Sequence, residues 1–565
     1  MLLVFREKNF ITRLLHMNSF FKFFWMALAA AGLCIIPSAS DEIVFANAHA
    51  PGGRVEAPAF GGRILMGSIG EPSNLTPYLA TDSASSEITG LLFVAPLKFD
   101  KDLNVVPWAA ASYETLDNGR RLRFRLRDDL KWQDGTPLTA DDVEFTYRVM
   151  VDPKTPTAYA EDFMSISRFE KTGPLSFEVF YDKPFARALM TWMGAILPKH
   201  ILEGQDLMTT SFARHPVGAG PFRLKSWDAG SRLTLEASDT YFEGRPYLDE
   251  VVYRLIPDPS TMFLELKAGR LDMMGLSPQQ YLRQTQGSRW EEQWRKYKYL
   301  SFSYTFLGFN LRHAFFRDVR TRRAISMAID RESLVEIVLL GQGVPTVGPY
   351  KPGTWAYNDT LLPMRHDVAT ARRLLAEAGW QDADGDGVLE RDGQPFVFTI
   401  LVNQGNDQRI KTAVIIQNQL KAVGIDVRIR TVEWASFIKE FVHTGRFDAL
   451  ILAWTITQDP DIFDVWHSSK AKPGGLNFTG YQNAEVDELL VEARATPDRV
   501  RRKVLYDRVQ EILDAEQPYC FLYVPYALPI VQERFHGVQP ALSGIMHNFE
   551  RWWVPAALQR HRIRP

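Results

Sequence analysis

Two periodicities divide the chain into elements. From Leu122 the residues alternate Leu-Arg-Phe-Arg-Leu-Arg, which predicts a half-buried strand with its arginines on the wet face. Those arginines read as a solvated face in preference to an anion site. Between Asp448 and Trp454 the residues are apolar without alternation, the pattern of a strand buried on both faces. Further strands are predicted over 62–67, 247–256, 396–402 and 427–431, with extended apolar stretches over 301–311 and 519–530. Helical periodicity covers 260–269, 319–329, 331–340, 367–378, 407–423, 434–442 and 497–516, with glycine stops at Gly269 and Gly379. Thr139 followed by Asp142 predicts a capping box that opens a helix over 141–150, after a hairpin turn at Asp134-Gly135. The strand–helix alternation from 396 to 454 predicts an α/β lobe with a mainly parallel sheet.

The strand that ends at Trp454 breaks without a helix into Thr455, Thr457, Gln458, Asp459, Pro460 and Asp461. Hydroxyls, an amide and carboxylates thus gather at the carboxyl end of an interior strand, where open α/β sheets place ligands. On these residues alone an Asp-Pro turn leading to a helix from Ile462 is the plainer reading, and a binding loop the other.

Composition narrows the classes. A chain of 565 residues is expected to form two or three domains. A formal charge of −2 advertises no basic face for nucleic acid. The apolar run 23–36 behind Lys22, with small-residue sites such as Ala46-Asn47-Ala48 after it, reads as a secretory signal peptide over 1–48. It is shorter than the roughly 20 residues of a membrane span. A periplasmic mature chain is therefore expected, and Leu33 before Cys34 argues for cleavage over a lipid anchor. Only Cys520 then remains, so no internal disulfide is expected and a buried, inert thiol is.

The chain has no Gly-Lys pair to cradle phosphates, no His-Glu-x-x-His, no Cys-x-x-Cys and no Gly-x-Ser-x-Gly. No cofactor is expected, and His467 reads as ordinary packing. Asp382, Asp384, Asp386 and Glu390 fall at positions one, three, five and nine of a calcium loop, but Gly393 stands where the bidentate glutamate belongs. A Gly/Asp-rich hairpin turn is the favoured reading and a weak structural calcium site the other.

The stretch 131–147, KWQDGTPLTADDVEFTY, resembles a signature of the extracellular solute-binding proteins of ABC importers, in the class that includes dipeptide-, oligopeptide- and nickel-binding proteins. The similarity continues through 216–222, 308–311, 318–330, 477–481 and 486–490, and covers about 60 to 555. The resemblance implies an α/β, two-lobed periplasmic-binding-protein fold of type II in its three-domain variant, with mixed sheets and an extra small α+β domain. It assigns 60–79, 215–300 and 520–560 to the first lobe, 80–214 to the extra domain and 301–519 to the other lobe, so the run 519–530 returns to the first. It also implies a monomer that captures a peptide or peptide-like solute, without enzymatic chemistry, and delivers it to an inner-membrane ABC permease.

For the site, the resemblance points to Trp454, Thr455, Thr457, Gln458, Asp459 and Asn477, with Trp434, Trp454 and Tyr481 as stacking walls. In peptide-binding members an aspartate three residues after the tryptophan pairs with the ligand's ammonium. Here that position is Thr457, and Asp459 is the substitute if the loop is one residue shorter, so Asp459→Asn is expected to weaken binding more than Asp461→Asn. Nickel chelate, haem, oligosaccharide and opine stay open as solutes. The alternative class is a secreted hydrolase of peptides or glycans with Asp459 and Asp461 as its acid–base pair.

Overall fold

The computed structural model describes residues 57–560 apart from 80, 81, 158 and 457, so the expected signal peptide and Thr457 lie outside the described residues. Two mixed seven-stranded sheets dominate. The first runs Trp294–Lys296, Pro529–Gln532, Met273–Gly275, Arg63–Ser68, Glu250–Leu255, Arg232–Ala237, Phe222–Asp228. The second runs Tyr299–Leu300, Tyr519–Ala527, Ser303–Phe309, Ala449–Thr455, Val397–Asn403, Asp426–Val432, and Gly343–Pro345 pairs with Tyr519–Ala527. A separate antiparallel sheet orders Ala110–Leu116, Arg121–Leu126, Ser176–Phe180, Arg168–Gly173.

Local chemistry accounts for these elements. In Arg121–Leu126 the apolar side chains are buried, and Arg123 stays half-exposed and pairs with Glu114 and Glu178 on the flanking strands. The capping box forms: Thr139 accepts from the amide of Asp141, Asp142 accepts from the amide of Thr139, and the helix Ala140–Val151 follows. The helices Val319–Ala328 and Arg331–Val338 are split by Asp330, whose carboxylate caps the second through the amide of Ser333.

The interior strands Ser303–Phe309 and Tyr519–Ala527 are buried on both faces, and period two sorts their side chains. Leu307, Cys520 and Leu522 pack with the helices Val319–Ala328, Arg331–Val338 and Asp407–Lys421. Phe306, Tyr519 and Phe521 face the other way, onto Tyr506, Val509 and Leu513 of the helix Arg499–Glu516. Cys520 is a buried free thiol.

The chain passes between the two large sheets twice, and the two passages lie side by side. Trp294 pairs with Gln532 and Lys296 with Ile530 in the first sheet, and then Tyr299 pairs with Ala527 and Leu300 with Tyr526 in the second. The return of the whole run 519–530 to the first lobe is therefore corrected. Tyr519–Ala527 is an interior strand of the second sheet and only Pro529–Gln532 joins the first, because residues 519–524, at most 1% exposed, need neighbours on both sides.

The antiparallel sheet shares one continuous core with the first large sheet, through Phe124, Trp132, Leu233 and Val251. The C-terminal segment closes that core with Ile545, Phe549, Trp552 and Val554. Lys351, only 1% exposed, reaches from the second lobe to this segment and donates to the Leu542 carbonyl at 3.0 Å, with its ammonium 3.8 Å from the centroid of Phe302. Burial pushes its ammonium down from 10.5 to about 8. Between those values the unfolded chain binds more protons than the folded one, so stability from this group rises with pH across that window. Lys351→Met is expected to flatten the rise by roughly 2–3 kcal/mol. Urea unfolding of both proteins from pH 7 to 11 checks it; parallel curves would refute the assignment.

Candidate ligand-binding site

The strand Ala449–Thr455 lies inside the second sheet, antiparallel to Ser303–Phe309 and parallel to Val397–Asn403. Asp426–Val432 runs parallel to Val397–Asn403, so three carboxyl ends share one sheet edge. Trp434 follows the outermost of them, half-exposed, with its ring 6.0 Å from Phe437. Trp454 stacks on Phe478 at 5.9 Å, and its indole N–H points to the Tyr519 hydroxyl at 3.4 Å. Beyond it Thr455 and Gln458 are exposed, while the amide of Ile456 donates to the Phe302 carbonyl at 2.8 Å.

The Asp-Pro-Asp turn is pinned from every side. Asp459, with a side chain 10% exposed, accepts a two-pronged pair of hydrogen bonds from Arg502 at 3.1 and 3.2 Å. It also closes the turn by accepting from the amide of Asp461 at 3.0 Å. The Pro460 carbonyl accepts from the buried Tyr350 hydroxyl at 2.9 Å. Asp461, 2% exposed, lies between Arg494 at 2.7 Å and Arg187 at 3.3 Å. Burial disfavours its charge, but the hydrogen bond and charge of Arg494, with the charge of Arg187, outweigh that and hold the carboxyl below its ordinary range.

Arg187 comes from the helical part of the extra domain, where it also grips Asp162 at 2.7 Å. Its link to Asp461 therefore crosses to the other lobe, and the amide of Ala186 donating to the Arg494 carbonyl at 2.7 Å runs beside it. A cavity of about 240 Å³ lies in this gap, lined by Tyr78, Asp162 and Arg187 on one side and Asp464 and Arg494 on the other.

Two expected contact residues are scaffold. Asn477 is fully buried, donates to the carbonyls of Tyr481 and His467 and accepts from the Tyr481 amide, so it ties off the 466–481 loop. Tyr481, 2% exposed, donates its hydroxyl to Glu516 at 2.6 Å and packs edge-on against Trp466. The Asn477 amide is engaged and the Tyr481 ring is buried, so neither presents a polar group or a ring face to a solute, which corrects their expected roles as contact residue and stacking wall. His467 stacks on Phe463 and accepts from the amide of Ser469, as ordinary packing.

Asp382, Asp384, Asp386 and Glu390 converge with ligand atoms within 4.8 Å of one another, exposed to solvent. Their oxygens accept from the amides of Ala383, Gly385, Asp386, Gly387 and Val388, which makes them the caps of a turn before the Glu390–Arg391 and Gln394–Pro395 hairpin.

Sequence reasoning missed Arg187, Arg494 and Arg502. The usable signal was physical: two carboxylates after a strand buried on both faces require cations, and none stands near them in sequence.

Residues 104–474 match the family described as bacterial extracellular solute-binding proteins, family 5, middle part. The chain belongs to that family. Its architecture is the two-lobed, three-domain periplasmic-binding-protein fold, and the role of the family is extracellular solute binding. The oligopeptide-binding protein AppA of Bacillus subtilis is 36% identical over 512 residues, 88% of this chain and 92% of that one. The structure of that protein in complex with a nonapeptide superposes with a TM-score of 0.76 at 34% identity, covering 88% of this chain and all of the other. NikZ from Campylobacter jejuni in complex with Ni(L-His) gives 0.77 at 26% identity, covering 87% and 99%. Among the described residues no helix is long and apolar enough to cross a membrane.

Asp459→Ala leaves Arg502 buried without its carboxylate and is expected to destabilise the ligand-free protein by about 3–5 kcal/mol, with Arg502→Met in the same chain restoring part of the loss. Urea unfolding of the two single variants and the double variant measures this; full stability in Asp459→Ala would contradict the pairing.

Proposed function

We propose that this chain is the monomeric capture component of an ABC importer, taking a peptide into the cleft between its lobes and handing it to an inner-membrane permease. The first lobe comprises 60–79, 215–300 and the segment from 529, with 80–214 as its extra domain, and the other lobe spans about 301–527. The observation that carries the peptide reading is the similarity, over nearly the whole length of both chains, to an oligopeptide-binding protein whose structure holds a nonapeptide. The interlobe contacts support capture by closure. A solute that touches both lobes only when they meet biases the closed state by its differential affinity. The Arg187–Asp461 pair adds a contact of the protein's own to that state.

Trp454, Thr455, Thr457, Gln458 and Trp434 are the residues we assign to solute contact. Asp459 is removed from that role, since Arg502 already answers its charge. The first loop of the site then offers hydroxyls, an amide and a ring, which match peptide groups by neutral hydrogen bonds and stacking. No carboxylate of the Asp-Pro-Asp turn is free for an ammonium. The same pairing deprives the hydrolase alternative of its acid and base, and the relatives give it no support.

Two outcomes follow. Purified protein incubated with an equimolar mixture of free and N-acetylated nonapeptides is expected to retain both to a similar, stoichiometric extent, with no fragments appearing, as read by mass spectrometry. Retention of the free peptides alone would refute the neutral reading, and fragments accumulating beyond stoichiometry would overturn capture. Arg187→Met is expected to weaken retention about tenfold, a loss of roughly 1.4 kcal/mol of closure, and Asp461→Asn to act in the same direction. That reverses the order expected from sequence for Asp459 and Asp461; an unchanged affinity in both interlobe variants would sink the closure role.

A further inference from the structure

The first large sheet is covered on one face and only half covered on the other. Ile64, Val251, Tyr253, Leu233 and Leu235 join the core shared with the antiparallel sheet. On the opposite face the helix Pro259–Lys267 packs Met262, Phe263 and Leu266 onto Met274, Ile530 and Trp294, at the end of the sheet away from Phe222–Asp228. The rest of that face, from Arg63–Ser68 across to Phe222–Asp228, borders a cavity of about 730 Å³, and Gly269 and Arg270 line it from just past the helix.

Register sorts this uncovered half into three rows. The middle row is neutral: Leu65 pairs with Val252, Val252 with Thr234, and Thr234 with Ser226. To one side Arg63 pairs with Glu250, Glu250 with Glu236, and Glu236 with Arg223. To the other side Arg254 pairs with Arg232, and Arg232 with Asp228. The outer rows stand four residues apart on Glu250–Leu255, or about 13 Å. The result is a trough with a neutral floor and two charged walls.

Like charges stand directly opposite each other in both walls, which costs free energy unless a countercharge lies between them. For Glu236 and Glu250 the chain supplies one. A register shift between Leu224 and Ser226 sets Lys225 out of the ladder, and its ammonium lies 2.6 Å from Glu250 and 4.0 Å from Glu236. For Arg232 and Arg254 the arrangement differs: Arg232 pairs with Asp228 of its own hairpin at 2.8 Å, and Arg254 shares Glu265 with Arg270. Among the described residues no carboxylate is paired with both Arg232 and Arg254. Each wall also has one cation in excess. Arg63, Arg223 and Lys225 face Glu236 and Glu250 in the first, and Arg232, Arg254 and Arg270 face Asp228 and Glu265 in the second.

We propose that this trough docks an acidic, extended segment of a partner protein, with one carboxylate of the segment seated between Arg232 and Arg254. Four strands give the trough a length of about 14 Å, which an extended chain of about four residues spans. Successive side chains of such a chain point to opposite sides, so acids at neighbouring positions reach both walls. A flat anionic membrane meets the rims of a trough but not its floor. The trough shares no lining residue with the interlobe cavity, so the proposal stands whatever solute the cleft captures.

Arg232 and Arg270 provide the test, because their side chains are 59% and 60% exposed and their removal strands no buried charge. The probe is an N-acetylated decapeptide with a central run of glutamates, a fluorophore and a terminal photocrosslinker; its control has glutamines in place of the glutamates. Binding to the full chain is followed by fluorescence anisotropy, and the cross-links are mapped by mass spectrometry. The glutamate peptide is expected to bind at least about tenfold more tightly than the control and to cross-link within 222–236 or 250–270. Its affinity is expected to fall about tenfold in Arg232→Ser and about threefold in Arg270→Ser, and to stay near that of the parent in Arg232→Lys. Equal binding of the two peptides, cross-links confined to the loop after Ala449–Thr455, or an unchanged affinity in both serine variants would overturn the proposal. Vesicles of phosphatidylglycerol that sediment the parent chain but not Arg232→Ser would also overturn it, in favour of a lipid surface.

Discussion

A carboxylate taken out of water has to be matched, and at Asp461 that requirement organises the site. Its side chain is 2% exposed and its charge is kept, because Arg494 and Arg187 reach it from two different parts of the fold. Arg494 sits on the helix Ala484–Ala495 and Arg502 on Arg499–Glu516, so the turn after Ala449–Thr455 is referenced to helices that pack beneath the same sheet. Such pairs need not stabilise the fold relative to an apolar replacement of the same shape, but removing one partner leaves a stranded charge. Their value here is positional. They leave the neutral groups at Trp454, Thr455 and Gln458 as the exposed end of the strand.

The same ionic cluster acts across the lobes because of how the chain is routed. Among the described residues two adjacent passages, near Tyr297 and Leu528, join the large sheets, and they are paired as a narrow antiparallel ribbon on either side of the change of sheet. A ribbon of that kind bends by small changes in a few backbone angles, while each lobe keeps its own close-packed core. The antiparallel sheet shares the core of the first large sheet, so Arg187 reaches Asp461 from an element built onto that core. Lys351 is a second tie, from the other lobe to the C-terminal segment.

Much of the architecture was legible where sequence and local physics agree. Alternation gave Arg121–Leu126, the Thr139 and Asp142 pair gave the start of Ala140–Val151, and Asp330 marked a helix boundary because its carboxylate caps the next helix. The unbroken apolar stretch before Trp454 gave an interior strand. What periodicity does not encode is which neighbour a buried strand takes. Tyr519–Ala527 reads the same whether it joins one sheet or the other, and only the pairing with Ser303–Phe309 decides. Lobe organisation came from resemblance to a family, and composition alone would not have supplied it. The site was half legible for a related reason. Trp454, Thr455 and Gln458 follow from the strand's end, but the arginines that neutralise the turn come from 33, 43 and 274 residues away. Asn477 and Tyr481 have the chemistry of contact residues, and burial gives them to the scaffold instead.

The charge balance of the turn bears on how a ligand's register is set. A site that grips a ligand's ammonium with a buried carboxylate fixes one end of the ligand, and with it the length and register that fit. With Asp459 and Asp461 both answered internally, that anchor is missing from this turn, and register has to come from elsewhere. Neutral hydrogen bonds to a peptide backbone repeat along the chain and cannot choose among registers shifted by two residues. The physical consequence is that the turn itself reads neither the charge nor the position of a ligand's amino end, and register has to be set by groups elsewhere in the cleft.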